Sequence, residues 1–255
     1  MSRFFCAPGD FAPSGLWSVG HLALFLCSVT AILLALLLSR RFGEHEIRRA
    51  VRVLVILLWV LELGKILFVL LRVGSRDPDD FLPLYYCSLV LYAGAFSAFF
   101  KGRARFFGDC FLATASLVGG AVFLIFPTST LPQSPAWHVM SLHSFLLHSA
   151  MVYLGLLLLF RGVYRPVVGD IVYPAALIGT CCALALLFNY AYERLTQGAT
   201  ANLMFLAAPA AGTPLVTIYR LTGVFFTPLM CVGQMLGPFL LVWLAWQGFA
   251  HLKKK

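Results

Sequence analysis

Long apolar runs alternate with short polar connections along this chain. Seven of the runs approach the ~20 residues that a helix needs to cross a bilayer. They cover residues 17–39, 50–71, 82–100, 106–126, 136–160, 171–190 and 223–248. The pattern predicts an all-α fold: a polytopic membrane protein whose residues 1–255 form a single integral membrane domain, a bundle of seven transmembrane helices.

The composition excludes an ordinary soluble domain. Of the 255 residues, 61% are hydrophobic and 11% are charged, whereas soluble chains carry roughly 25% charged residues. The net charge is +9, but the basic residues lie in short loops between apolar runs and form no basic domain. We therefore attribute the charge to membrane topology and expect no nucleic-acid partner.

The distribution of Lys and Arg predicts the orientation. They are concentrated in the loops after the first, third and fifth runs and at the C-terminus. Because positively charged loops stay cytoplasmic, we expect the N-terminus outside and the C-terminus in the cytoplasm, with the protein in the cell membrane. The N-terminus lacks the features of a cleaved signal peptide, so the first run is expected to remain as a span.

The connection between the sixth and seventh runs, residues 191–222, is the longest. It contains an apolar piece, residues 202–211, that is too short to cross a bilayer. Two placements are open: the piece lies at the membrane interface, or it re-enters between helices. Re-entry is tolerated only where protein or water covers the backbone.

Ionisable residues inside apolar runs are costly and are candidates for function. Glu62 and Lys65 lie three residues apart in the second run, so they share a helix face and are expected to pair. That pair has a purely structural interpretation as well, in which it fixes helix packing. Asp109 and His21 lie near the ends of their runs and are expected at the interface.

The stretch FLPLYYCSLVLY opens the third run, and Pro83 is expected in the first turn of its helix. Cys87 then lies about one turn below the interface. A free cysteine is often only a small buried apolar side chain. It becomes a nucleophile where a neighbouring base or cation stabilises its thiolate.

Two histidines in the fifth run, His143 and His148, are candidates for that base. Five residues apart, they project about 140° from one another, so they do not face the same way as metal ligands would, and no metal site is predicted. Of the two, His143 matches the depth of Cys87 better.

Four short stretches, LPLYYCSL, GGAVFLIFP, HSFLLHS and NLMFLAAP, resemble in order and spacing the YwaF-type integral membrane family. Its eukaryotic relative, transmembrane protein 164, is regarded as a membrane acyltransferase that acts on ether phospholipids through a Cys and a His. The resemblance implies that Cys87 and His148 are the catalytic pair and that Asn202 is a site residue. Tyr85 stands where the family usually has His, and Leu203 where it usually has an aromatic residue.

Two functions of different class follow, beside a purely structural role. The first is thiol-dependent acyl transfer between membrane lipids, with Cys87 as nucleophile, His148 ahead of His143 as base, and no cofactor. The side chains expected to contact the lipid are Tyr85, Asn202, Glu62 and Lys65. The second is a small-solute transporter or channel, whose polar cavity would be lined by Glu62, Lys65, Asn189 and Gln234.

Overall fold

The structure is a computed structural model that describes residues 3–7, 10–209 and 213–252. All regular structure in these residues is helical. The bounds of the helices are α1 Val19–Leu38, α2 Glu44–Phe68, α3 Pro78–Phe81, α4 Leu89–Phe99, α5 Gly102–Phe111, α6 Leu117–Ile125, α7 Val139–Phe160, α8 Val172–Leu195, α9 Leu215–Thr222 and α10 Phe226–Leu252. One π-helical turn extends α2 to Val73, and another joins α5 to α6.

Within the described residues, six helical segments are long and apolar enough to cross a membrane. They correspond to six of the seven predicted runs, which confirms a multi-pass membrane protein. Several begin or end a few residues away from the predicted bounds, because polar residues such as Glu44 and Arg194 continue the helix beyond the apolar stretch. The count of seven transmembrane helices and the orientation of the termini stay predictions.

The third predicted run, residues 82–100, is different. Its only regular element is α4, an apolar helix of 11 residues, about 16 Å long. The expectation that Pro83 lies in the first turn of this helix is wrong: residues 82–84 belong to no regular element and the helix begins at Leu89. Proline favours an extended conformation in the residue before it, which is what Leu82 adopts.

Helix α2 packs between α4 and α7 and thereby brings the second, third and fifth runs together. The indole nitrogen of Trp59 donates to the carbonyl of Leu91, 3.2 Å away, which ties α2 to α4. On its other side α4 packs closely on α5, where a β-carbon at Gly108 would fall 2.5 Å from the carbonyl oxygen of Ala93. Small residues of this kind allow helices in a membrane to approach closely.

The chain between α8 and α9 re-enters the bundle, which favours the second of the two placements predicted for the apolar piece. Leu203, Met204 and Leu206 are fully buried, and Leu203 reaches Asn189, six residues (about 9 Å) inside the end of α8. We call residues 201–206 the re-entrant loop. Residues 210 and 211 of the predicted piece, and the three C-terminal lysines, lie outside the described part of the chain.

Candidate active site

Glu62 occupies the centre of a buried polar cluster on α2. Its side chain is almost completely buried, with 1% of the residue exposed. The ammonium nitrogen of Lys65, one turn later, lies 2.5 Å from Oε1, although at an angle outside hydrogen-bond geometry. The expected pairing of the two residues is therefore present as an ion pair, and one carboxylate oxygen faces away from it.

His143 approaches that second oxygen from α7. Its Nε2 lies 3.5 Å from Glu62 Oε2, and 8% of the residue is exposed. Neither ring nitrogen has a hydrogen-bond partner among the described residues. Buried polar groups are normally hydrogen-bonded, and an exception calls for an explanation such as a catalytic role.

Cys87 lies next to the same cluster. It is partly buried and packs against the core that α2, α4 and α7 form together with parts of α5 and α10. Both Glu62 and Lys65 lie within electrostatic range of its thiol. Glu62 and Lys65 therefore lie between His143 on one side and Cys87 on the other, and no hydrogen bond joins the His143 ring to the Cys87 thiol within the described residues. The four residues come from three different helical runs, and we call them the Glu62 cluster.

A comparison with protein families identifies the chain. The family model described as the TMEM164 family matches residues 16–237. The chain belongs to the TMEM164 family. Comparison with curated proteins and with solved structures returned no significant match.

The match confirms the resemblance noted from the short motifs, and the Glu62 cluster lies entirely within the matched region. The TMEM164 family assignment covers most of the chain, from the start of α1 to the middle of α10. The short segment before residue 16 and the end of α10 lie outside it. Membership supports a multi-pass membrane protein and leaves the activity to be argued from the site.

His148, the histidine that the resemblance favours, has other contacts. Its Nδ1 donates to the carbonyl oxygen of Ser144, 2.6 Å away. Its ring is stacked on Phe123 of α6, with centroids 3.6 Å apart and planes 9° apart. These contacts fix the tautomer and the ring plane, and they hold this imidazole against α6, whereas His143 contacts Glu62.

Tyr85 and Asn202 lie together on the other side of the Cys87 segment. The rings of Tyr85 and Phe205 lie 5.1 Å apart. The side chain of Asn202 is occupied by the residues that directly follow the re-entrant loop: Oδ1 accepts from the backbone N–H of Ala207 and Ala208, and Nδ2 donates to the carbonyl of Ala208. The structure thus places Asn202 as a loop-stabilising residue and does not bring its amide into the Glu62 cluster.

Asn189 and Gln234 hold the re-entrant loop. Asn189 accepts from the N–H of Leu203 and donates to its carbonyl, at 3.1 and 3.4 Å. Gln234 Nε2 donates to the carbonyl of Met204 at 3.0 Å. These amides satisfy a non-helical backbone at membrane depth, as such a backbone requires. In the structure they contact this loop, and no contact joins them to Glu62 or Lys65 within the described residues.

Sequence reasoning missed Asp79. Its two carboxylate oxygens accept from the backbone N–H of Asn202, at 3.0 and 2.9 Å, and it is within reach of the Tyr85 hydroxyl. Burial raises the pKa of Asp79 above its ordinary value, and the Asn202 N–H opposes that shift. The only signal in the sequence was an acidic residue just before the Cys87 run. An acidic residue at such a position is equally typical of a solvated loop.

Proposed function

We propose that the chain is a thiol-dependent phospholipid acyltransferase, with Cys87 as the nucleophile and His143 as its base. The observation that carries the proposal is the buried imidazole of His143, which lies 3.5 Å from Glu62, has no hydrogen-bond partner among the described residues, and shares a charged cluster with the Cys87 thiol. A nucleophile, a base and a third group that orients the base are the parts that covalent catalysis needs.

The first half-reaction begins with proton transfer from the Cys87 thiol to His143. The thiolate attacks the carbonyl carbon of a phospholipid ester, the new S–C bond forms, and the ester C–O bond breaks. The departing lysophospholipid oxygen takes the proton back from the imidazolium. The products of this half are an acyl thioester on Cys87 and a free lysophospholipid.

The second half-reaction reverses these roles. The hydroxyl of a different lysophospholipid loses its proton to His143 and attacks the thioester carbon. A new C–O ester bond forms, the C–S bond breaks, and the Cys87 sulfur recovers the proton. The reaction needs no oxidant or cofactor, because it exchanges one ester for another through a thioester.

Each charged group of the Glu62 cluster has a role in this scheme. Lys65 provides a positive charge near the sulfur, which favours the thiolate. Glu62 lies beside the imidazole and favours its protonated form during the transfer. The apolar surroundings strengthen both effects, because charges interact more strongly where water is excluded. The acyl chain would approach the cluster from the lipid that surrounds the bundle.

The test is acyl exchange between a phospholipid and a fluorescent lysophospholipid in reconstituted vesicles. Cys87→Ser should abolish exchange, and His143→Ala should slow it by about 10²–10⁴-fold, the usual contribution of general base catalysis. Mass spectrometry of the wild type should find an acyl adduct on Cys87. Cys27→Ser, which changes an exposed cysteine of α1, is the matched control.

Two outcomes contradict parts of the proposal. Full exchange activity in Cys87→Ala would exclude the thioester mechanism. A large loss in His148→Ala together with near-normal exchange in His143→Ala would transfer the role of base to His148, the residue favoured by the family resemblance.

A further inference from the structure

The segment that carries Cys87 has no regular structure of its own. Residues 82–84 belong to no regular element and residues 85–88 form a bend and turns, so the sulfur is held by turn hydrogen bonds, such as that from the Val90 N–H to the Cys87 carbonyl, and not by an α-helix. Side chains do part of this work. The Tyr92 hydroxyl donates to the carbonyl of Pro83 at 3.1 Å, and the Tyr86 hydroxyl donates to the carbonyl of Ala115 at 3.0 Å.

The two faces of this segment meet different parts of the bundle. Cys87 packs on the core of α2, α4 and α7. Tyr85 and Tyr86 pack instead on the core that contains the re-entrant loop and α8. The segment is therefore held between the Glu62 cluster on one side and the re-entrant loop on the other, and its position depends on that loop.

Asp79 links the loop to the segment. It lies in α3, immediately before the segment, and both of its oxygens accept from the Asn202 N–H at the start of the loop. It also lies within reach of the Tyr85 hydroxyl, two residues before Cys87. Hydrogen bonds to a charged group are among the stronger ones in proteins.

The neighbouring acids have other partners. Asp77 accepts from the N–H of Asp79 and begins α3. The carboxylate of Asp80 accepts from the hydroxyl of Ser75 at 2.5 Å in an exposed turn. Neither contact reaches the re-entrant loop, so the three acids of this turn have separable roles.

We propose that Asp79 is a positioning residue that couples the re-entrant loop to the Cys87 segment through Asn202 and Tyr85, and so holds the thiol at the Glu62 cluster. The role of the thiol in acyl transfer rests on the proposed function, whereas the coupling itself is a property of the fold. Asp79 acts through its neighbours and does not touch the reacting atoms.

The coupling is tested by alkylation with N-ethylmaleimide, followed by mass spectrometry of the peptides that carry Cys87 and Cys6. The ratio of the two alkylation rates corrects for differences between preparations, because Cys6 is a free cysteine that lies before α1, outside the candidate membrane spans. Asp79→Ala removes the carboxylate, Tyr85→Phe removes only the hydroxyl, and Asp80→Ala is the matched control. The same variants are assayed for kcat and KM in lipid exchange.

Asp79→Ala should raise the Cys87/Cys6 ratio about tenfold, since losing bonds to a charged group frees the segment to open more often. Tyr85→Phe should raise it less, and Asp80→Ala should leave it unchanged. In exchange assays kcat should fall more than KM rises, because the thiol is misplaced while the lipid still binds. Asp79→Glu should recover part of kcat, which general loss of folding would not explain.

An unchanged or lower ratio in Asp79→Ala overturns the proposal. If that variant does not fold, an unchanged or lower ratio in Tyr85→Phe does so. The labelling ratio requires no enzymatic activity. A protein in which Asp79→Ala raises labelling but the wild type transfers no acyl chain therefore refutes the proposed function alone, whereas an active wild type with unchanged labelling refutes only the coupling.

Discussion

Two buried carboxylates in this protein have opposite surroundings. Asp109, 4% exposed, accepts from Nη1 of Arg48 at 2.8 Å with each of its oxygens, and from the Ser97 hydroxyl at 2.5 Å. Glu62 pairs with Lys65 but borders an imidazole that has no hydrogen-bond partner among the described residues. Both oxygens of Asp109 accept hydrogen bonds, whereas the cluster around Glu62 contains an imidazole without a hydrogen-bond partner among the described residues.

The difference separates a structural ion pair from a candidate site. A satisfied buried network makes the fold more rigid, while a partly satisfied one costs free energy and is kept where function requires it. Asp109 ties α4 and α5 to α2 through Ser97 and Arg48. The Glu62 cluster also joins helices, but it adds a thiol and a free base.

Asp109→Ala should give the largest loss of stability. It leaves the Arg48 guanidinium with only the longer contact to the exposed Glu44, 3.8 Å away, and breaking a buried pair in this way costs about 3–5 kcal/mol. Thermal unfolding in detergent measures the effect. Asp80→Ala, at an exposed turn, should stay within about 0.5 kcal/mol of the wild type. If the two variants unfolded at the same temperature, the Asp109 network would not be a structural element.

Lys65→Met should give the second-largest loss of stability. It leaves the Glu62 carboxylate buried and unpaired, so it should destabilise the protein by a few kcal/mol. The double change Glu62→Gln with Lys65→Met removes both charges and should be less damaging than Lys65→Met alone. A double variant that is as unstable as the single one, or more so, would show that the two residues do not act as a pair.

His143→Phe should change stability little. The ring is buried without hydrogen bonds, so replacing it with an apolar ring of similar shape should cost less than about 1 kcal/mol or even stabilise the fold. Lipid exchange should nevertheless be lost. Unfolding curves and exchange rates of the same preparation test both parts. A loss of stability as large as that of Asp109→Ala would make His143 a structural residue.

The ionisation of Asp79 should give the smallest effect on stability, and this effect should depend on pH. Burial and the charges of Asp77 and Asp80 raise its pKa above the ordinary 3.8, and the Asn202 N–H and the Tyr85 hydroxyl oppose the shift. A raised pKa means that the folded state binds the proton more tightly than the unfolded state. The contribution of this group is therefore most favourable below pH 3.8 and is lost as the pH rises through the raised pKa.

The stability of the wild type, relative to Asp79→Asn, should accordingly improve as the pH is lowered from 7 towards 4. The shift should be small because the carboxyl group is partly exposed to solvent. Unfolding temperatures of both proteins across this range test the sign. A difference that moves against the wild type on acidification would show that hydrogen bonding to the charged form outweighs burial.

Apolar runs and loop charges were enough to predict a multi-pass helical membrane protein, because length and hydropathy alone decide whether a helix can cross a bilayer. The same local logic predicted the pair Glu62 and Lys65, since residues three apart share a helix face. It also suggested His143 by depth. It carried no information on the protein contacts of Asp109 and His21, which were expected at the interface and are buried by neighbouring helices.

Only the tertiary structure decided which polar groups meet. Asn189, Asn202 and Gln234 are polar residues near membrane segments, and nothing in their sequence positions distinguishes a cavity lining from a support for a re-entrant loop. Asp79 accepts a hydrogen bond from Asn202, which is 123 positions away in the sequence, and His143 contacts Glu62 from another helix. Such contacts depend on how helices pack against each other, and hydropathy along the chain carries no information about that packing.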